Sequence, residues 1–278
     1  KNLRTSIDLR IQYLAYRTLK AAIQSYNAES GSIVVLDVKT GEVLAIVNQP
    51  TYNPNDRSQF SAERYRNRAV TDIFEPGSSI KPLVIAAALE SGEFRPSSII
   101  DTAPGYVTVG AKTIEDRRNL GRVSLTTILA RSSNVGVTKL AMSLQPDQLW
   151  QTMTEFGLGS LTSSAFPGES AGLLTHFSNW KPISQATLAY GYGVSVTALQ
   201  LAQAYSALGN GGRLYPVSMV ALDSPIEGRQ VIAPDTAAAV RRMLEEVVRP
   251  GGTGTKAAVA GYRVAGKTGT AWKFAAGG

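Results

Sequence analysis

The chain has 278 residues, with 28 Lys and Arg against 21 Asp and Glu and a formal net charge of +7. At roughly 150 residues per domain that is room for two domains, or one large domain with two lobes, and for a core that needs no staples. An apolar content of 44% with 18% charged residues excludes a disordered, collagen-like or coiled-coil chain.

The absence of cysteine excludes a disulfide framework, a thiol nucleophile and a thiolate metal site, and it suits an oxidising compartment. With one histidine in the chain, a Ser-His-Asp triad would have to use His176. The longest apolar run, Pro82–Leu89, is far short of the ~18 residues of a membrane span. No charged n-region followed by an apolar h-region opens the sequence, so a signal or anchor is expected upstream of it. Arg64, Arg66 and Arg68 alternate with neutral residues and read as a solvated face, which leaves nucleic-acid binding without support.

In chain order, Ser6-Ile7-Asp8 starts an amphipathic helix over about Asp8–Asn27, with Ile11, Leu14, Leu19, Ile23 and Tyr26 at helical spacing. Gly31–Asp37 and Glu42–Val47 are β-rich runs joined by a hairpin turn, and Asn48–Ser61 reads as loop. After the breaker Glu75-Pro76-Gly77, the run Lys81–Glu90 is apolar on nearly every face, the mark of a buried helix. Pro82 is tolerated there because the first turn has no intrahelical partner for the missing N–H. Helices over Ser124–Ala130 and Val135–Leu144 are interrupted by Ser132-Ser133-Asn134. Gln145 to Tyr192 carries only short helices, Thr197–Leu208 and Pro234–Val248 are clear helices, and Gly261–Trp272 alternates as a strand. The order predicts an α+β fold: an antiparallel sheet with helices packed on it and a helical lobe inserted at about 82–195.

Three short motifs carry chemistry. In Ser78-Ser79-Ile80-Lys81 the serine and lysine stand one helical turn apart, so Oγ and Nζ can meet. A nucleophilic serine with no histidine nearby needs another base, and a lysine held off water beside a second ammonium can serve. The helix N-terminus adds partial positive charge and free N–H groups for a developing oxyanion. Taken alone, the tetrapeptide reads first as an N-capping serine followed by a surface lysine. Ser132-Ser133-Asn134 would project a hydroxyl and an amide from a tight turn, which is also an ordinary helix junction. In Lys267-Thr268-Gly269-Thr270, strand alternation would send Lys267 and Gly269 to one face and Thr268 and Thr270 to the other; otherwise it is an edge strand with a solvated lysine.

Together and in this order the three motifs resemble the signature set of penicillin-binding proteins and class A β-lactamases. Gly41-Glu42-Val43-Leu44-Ala45, Arg66-Asn67-Arg68, Phe74-Glu75-Pro76-Gly77-Ser78, Ser132–Gly136, Tyr190-Gly191-Tyr192-Gly193 and Ala265–Ala271 extend the resemblance over essentially the whole chain. It looks like the transpeptidase domain of class B penicillin-binding proteins, most similar to the septal type 3 of Gram-negative bacteria. The resemblance implies one transpeptidase domain over 1–278, with the penicillin-binding-protein and serine β-lactamase fold. The family continues past the Lys-Thr-Gly strand with further strands and a helix, and carries an upstream membrane anchor and pedestal; none of these is in the sequence. It also implies a serine D,D-transpeptidase of septal peptidoglycan synthesis on the periplasmic side of the inner membrane. Its substrates would be D-Ala-D-Ala stem peptides, its covalent inhibitors β-lactams, and its neighbours division-complex proteins; no metal, cofactor or nucleic acid is implied.

By the same resemblance Ser78 is acylated and Lys81 is its base. Ser132 relays a proton, Asn134 holds the substrate amide and Lys267 supports the relay. Thr268, Gly269 and Thr270 line the carboxylate-binding edge, and the N–H groups of Ser78 and Thr270 form the oxyanion hole. Tyr190 and Tyr192 resemble the aromatic wall of the pocket, though packing at a Gly-rich bend would explain them equally.

Two other patterns carry no function. Lys39-Thr40-Gly41 falls in the hairpin turn, ahead of the serine motif. Gly261 to Thr268 matches G-x-x-x-x-G-K-[ST], but the intervening residues read as strand and no helix follows the lysine. Two rival readings remain. A serine β-lactamase would need a deacylating carboxylate, for which Glu169 is the nearest candidate, and a penicillin-sensing or division-scaffold module would need no catalysis.

Overall fold

The computed structural model describes residues 2–56, 58, 61–224 and 226–272. They fall into two compact units. The first joins Lys1–Phe74, Gly157–Gly172 and Val196–Gln230; the second joins Glu75–Phe156, Leu173–Ser195 and Val231–Gly278.

In the first unit, Asp8 caps the helix Leu9–Ser25 by accepting from Arg10 N. That helix lies on an antiparallel hairpin of Gly31–Leu36 and Val43–Gln49. Side chains on the hairpin alternate between two apolar layers. Ile33, Val35, Ala45 and Val47 meet Ala15, Leu19 and Ile23. Val34, Leu36 and Ile46 meet Val70, Leu199 and Val217. Two buried faces explain why both strands are almost wholly apolar. The Gln12 amide donates to Ile46 O at 2.9 Å and accepts from Ile46 N at 2.8 Å, which closes part of the open strand edge. Behind the hairpin, the helix Ala198–Gly209 starts with a capping box of Thr197 and Gln200. Arg66 and Arg68 converge on Asp72 at 2.9 and 3.0 Å, so that part of the basic cluster is paired rather than simply solvated.

The second unit is built around the helix Lys81–Glu90, in which Lys81 to Ala88 are all buried. The helices Leu125–Arg131, Asn134–Ser143, Pro146–Glu155 and Pro234–Val248 pack against it. Leu83, Val84 and Ile85 are 0% exposed, and full burial of such side chains contributes about 1.5–3 kcal/mol each. One turn of 3-10 helix, Gly77–Ile80, leads in. The Gln185 amide, on the helix Pro182–Leu188, donates to Ala141 O and Leu144 O at 2.7 and 2.9 Å and closes the end of the helix Asn134–Ser143.

Four short antiparallel pairs carry no sequence signal; the two longest are Ile99–Asp101 with Arg122–Ser124 and Tyr106–Val109 with Lys112–Glu115. They are three or four residues long and largely exposed, so no apolar alternation marks them. The expected strand Gly261–Trp272 is a correction. Among the described residues this stretch belongs to no ladder. One backbone bond, Gly266 N to Leu244 O at 3.2 Å, anchors it. Alternating side chains make a segment competent for a strand, but a strand exists only where a neighbour accepts and donates along its edge. The expected antiparallel sheet is, for the same reason, the two-stranded hairpin of the first unit.

Candidate active site

The second unit brings the three motifs together around one lysine. Lys81 is 0% exposed. Its Nζ donates to Ser132 O at 2.6 Å, Asn134 Oδ1 at 2.7 Å and Ser132 Oγ at 3.2 Å. Desolvation lowers its pKa well below the ordinary 10.5, the charge of Lys267 lowers it further, and the carboxylate of Asp116 opposes the shift. Lys267 approaches the same hydroxyl, donating to Ser132 Oγ at 2.9 Å, and burial lowers its pKa to about 8. Two lysine side chains thus share one serine oxygen.

Ser132 reaches this position through its backbone. As C-cap of the helix Leu125–Arg131 it takes a left-handed conformation, φ +58° and ψ +41°, at a cost of about 1–2 kcal/mol for a residue with a Cβ. The reversal lets a second helix begin at Asn134 at once, with Ser133 Oγ accepting from Gly136 N at 2.8 Å. A helix-ending turn and a helix-starting cap on successive residues are what place the Ser132 hydroxyl and the Asn134 amide side by side.

Ser78 is half-buried in the 3-10 turn. The expected contact with Lys81 is not made: all Lys81 donors go to Ser132 and Asn134, and Ser78 Oγ has no hydrogen-bond partner among the described residues. Catalytic hydrogen bonds are often open without substrate. The N–H groups of Ser78 and Thr270 likewise donate to no backbone acceptor among the described residues.

The Lys-Thr-Gly segment is pressed against the serine turn. A Cβ on Gly77 would lie 2.4 Å from Thr270 O, and one on Gly269 2.8 Å from Pro76 O. Thr268, Gly269 and Thr270 are exposed. Thr268 Oγ1 lies 3.0 Å from Thr253 Oγ1 and accepts from Lys267 Nζ at 3.4 Å, so the clean two-faced alternation expected for this segment is absent.

On the other side of Gly77 stands the bend Tyr190-Gly191-Tyr192. Gly77 N donates to Gly191 O at 3.2 Å, and a Cβ on Gly191, at φ +89°, would lie 2.0 Å from Gly77 O. The two tyrosine rings pack edge-on, centroids 5.6 Å apart. Burial pushes the Tyr190 hydroxyl pKa up, and Tyr192 adds to the shift. Tyr192 Oη accepts from Trp272 N at 3.2 Å.

His176 is exposed; its Nδ1 lies 2.9 Å from Ser178 Oγ, and its ring packs on Trp150 and Phe177. It belongs to no triad. Glu169, in the first unit, accepts from Thr162 N at 2.8 Å, Thr162 Oγ1 at 2.5 Å and Ser164 Oγ at 2.7 Å, so both its oxygens are occupied in pinning a loop. After Lys267 no helix begins among the described residues, which removes the phosphate-loop pattern. The group that sequence reasoning missed is Asp116. It accepts from Ser133 Oγ and Asn134 N, both at 2.5 Å, and from Val135 N at 3.1 Å. A cap supplied from seventeen or more residues upstream leaves no local pattern to read.

A buried lysine one turn after a half-buried serine, under a Ser-x-Asn turn and a Lys-Thr-Gly edge, is an arrangement chemically suited to acyl transfer through a serine. The chain belongs to the family described as the penicillin binding protein transpeptidase domain, which it matches over residues 31–278. It is 45% identical over 272 residues, 98% of its length and 46% of the relative's, to the Escherichia coli K12 peptidoglycan D,D-transpeptidase FtsI. It is 43% identical over 274 residues to a probable peptidoglycan D,D-transpeptidase PenA of Neisseria meningitidis serogroup A, covering 99% of this chain and 47% of that protein. The chain spans about half the length of these curated relatives. The fold matches the apo transpeptidase domain of Burkholderia pseudomallei penicillin-binding protein 3 with a TM-score of 0.90, at 42% identity, over 99% of this chain and 79% of that one. A Burkholderia ambifaria structure described as a peptidoglycan glycosyltransferase also matches at TM-score 0.90 and 44% identity, over 97% of this chain and 82% of that one. Among the described residues no helix is long and apolar enough to cross a membrane.

Proposed function

We propose that the chain is the catalytic part of a peptidoglycan D,D-transpeptidase that acts through a serine acyl-enzyme. The observation that carries this reading is the fully buried Lys81, hydrogen-bonded to both side chains of the Ser-x-Asn motif, with Lys267 on the same serine oxygen. As an ammonium, Lys81 commits all three donors. Loss of one proton leaves two N–H groups for the acceptors at 2.6 and 2.7 Å, and a lone pair free to turn from the 3.2 Å contact toward Ser78.

Ser78 Oγ then attacks the carbonyl between two D-alanines while Lys81 takes its proton. The N–H groups of Ser78 and Thr270 hold the oxyanion. The C–N bond breaks as the leaving D-alanine amine receives a proton through Ser132, whose hydroxyl lies between the two lysines. An amine from a second stem peptide resolves the ester and regenerates Ser78. Asn134 orients the donor amide; Lys267 supports the relay through Ser132; Thr268, Gly269 and Thr270 take the donor's carboxylate; and Tyr190 and Tyr192 form the aromatic wall. A β-lactam follows the same first step, but its opened ring stays tethered and blocks the acceptor. Residues 1–278 form one transpeptidase domain with its helical lobe at about 82–195, working in the periplasm at the inner membrane with division-complex proteins. The engagement of Glu169 by Thr162 and Ser164 tells against β-lactamase turnover.

Intact-mass spectrometry after benzylpenicillin tests this: one stable adduct on the wild type and none on Ser78→Ala is expected. A folded wild type without an adduct, or one that turns over nitrocefin continuously, overturns the reading.

A further inference from the structure

We propose that the cavity between the helices Leu125–Arg131 and Pro234–Val248 is an acceptor subsite, in which Arg131 and Arg242 hold a carboxylate of the stem peptide whose amine resolves the acyl-enzyme. The inference rests on the acyl-enzyme reading above.

The cavity measures about 450 Å³ and is closed at one end by Pro250, Gly251 and Gly252, a size within the roughly 300–1,000 Å³ of small-ligand sites. The sequence builds it. Ala239, Arg242 and Glu246 recur at helical spacing and line it from one face of their helix. Ala130 and Ala239 are too short to fill the gap between the two helices, and the glycines add only backbone. Gly251 has φ +91°, and a Cβ on it would lie 3.2 Å from Arg131 Nη2, so a glycine here leaves the guanidinium its room.

The lining carries unspent positive charge. Arg131 and Arg242 are exposed, and among the described residues neither has a hydrogen-bond or ion-pair partner. Glu246, the carboxylate in the lining, is paired with Arg249, and Glu245 beside it with Arg263. Complementing a helix C-terminus would account for Arg131, but Arg242 stands in the middle of its helix. Two free guanidiniums facing one cavity match a planar carboxylate, which a guanidinium binds through two parallel N–H bonds.

The place of the cavity selects the acceptor strand. Arg131 immediately precedes Ser132, and the reversal at Ser132 separates their side chains: the hydroxyl meets Lys81 and Lys267, whereas the guanidinium lies against Gly251. On the opposite wall, Gly251 is two residues from Thr253, whose Oγ1 lies 3.0 Å from Thr268 Oγ1. Both walls thus run directly into the catalytic edge. The acceptor amine enters where the D-alanine amine left, beside Ser132. Its nitrogen bonds to the acyl carbon, the ester C–O bond to Ser78 breaks, and the amine proton passes to Ser78 Oγ through the same relay. The donor's terminal carboxylate is taken at Thr268–Thr270, so a separate carboxylate site next to Ser132 serves the strand that arrives second. Stem peptides supply such groups, since a γ-linked glutamate leaves its α-carboxylate free.

The test is the partition of one acyl-enzyme. The full chain is acylated with a benzoyl-D-alanyl thioester, and the ratio of aminolysis to hydrolysis is read by mass spectrometry with two acceptors: L-Ala-γ-D-Glu-diaminopimelate, and the same peptide with its carboxylates amidated. The wild type is expected to favour the free-carboxylate acceptor by roughly tenfold or more, and an Arg131→Gln, Arg242→Gln double variant to favour neither. Arg241→Gln removes an equal charge from an exposed neighbour outside the cavity and should keep the preference. A double variant that keeps the preference, or an Arg241→Gln protein that loses it, overturns the proposal. A double variant that acylates more slowly yet keeps the preference assigns the cavity to the donor strand and overturns it too. Where the double variant forms no adduct, Arg242→Gln alone decides by the same ratio, and an unchanged preference overturns the proposal. A wild type that forms no acyl-enzyme overturns the acyl-enzyme reading and this inference with it, whereas an acylated wild type indifferent to the acceptor's carboxylates overturns this inference alone.

Discussion

Gly191→Ala should unseat Ser78 without touching it. A Cβ on Gly191 would stand 2.0 Å from Gly77 O, 2.4 Å from Gly77 N and 2.5 Å from Gly77 C, whereas ordinary contact begins at 3.4 Å. The two backbones must therefore part by about 1.4 Å at the closest pair, the difference between 3.4 and 2.0. Gly77 cannot recoil freely, because a Cβ there would itself be 2.4 Å from Thr270 O. The added strain has two parts: about 1–2 kcal/mol for a side chain at positive φ, and about 1–3 kcal/mol for overpacking. Together they destabilise the second unit by about 2–5 kcal/mol. A displacement of more than 1 Å next to a nucleophile lowers the rate roughly a hundredfold.

Gly92 is the internal control: its φ is +76°, but a Cβ there meets nothing within 4 Å. Gly92→Ala should lose only the conformational part and acylate like the wild type. Urea unfolding and penicillin acylation rates on the two variants read both quantities. A Gly191→Ala protein as stable as Gly92→Ala and acylating at the wild-type rate would refute the idea that the Tyr190–Tyr192 bend positions the serine turn.

Acylation should trace a bell against pH, rising as the desolvated Lys81 loses its proton and falling above about 8, where Lys267 loses its own; a flat profile between about pH 6 and 10 would refute the lysine assignments. Stability should carry the same signature. The folded-state pKa of Lys267 is about 8 against an ordinary 10.5, and that of Lys81 is also lowered, so the unfolded chain binds more protons between those values and stability rises with pH across that window. A Lys81→Met, Lys267→Met double variant should lose this slope in urea titrations at pH 8 to 10.5. Gln185→Leu leaves Leu144 O without its donor and Ala141 O with only the Leu144 N–H and should lower unfolding free energy by about 1–3 kcal/mol, with no change meaning that water reaches the Leu144 carbonyl. His176→Ala should acylate within about twofold of the wild type, and a large loss would reopen a histidine mechanism.

Much of the local architecture was legible because it is locally encoded. Asp8, Thr197, Pro234 and the all-apolar run after Lys81 announce their helices through capping, a fixed φ or periodicity, and the helices start within a residue of those signals. The short pairs at Ile99–Asp101 and Tyr106–Val109 were illegible, since exposed ladders of three or four residues have no core face to advertise. The Gly261–Trp272 run shows the opposite failure: the alternation is present, but no neighbour completes a ladder.

The site divides along the same line. Sequence alone determined which side chains could do the chemistry. Ser78, Lys81, Ser132, Asn134 and Lys267 sit in short motifs whose spacing is set by one helical turn or one tight turn, and such geometry survives without knowledge of the rest of the chain. The tertiary structure alone decided their state. It sent the Lys81 donors to Ser132 and Asn134 rather than to Ser78, and put Lys267 on the same oxygen from 135 residues away. It also placed Asp116 over the Ser133–Val135 amides, and slid Gly77 between Gly191 and Thr270. Burial, charge proximity and backbone contact are sums over segments distant in sequence, so no local pattern contains them; they come into being when the second unit closes around the helix that begins at Lys81.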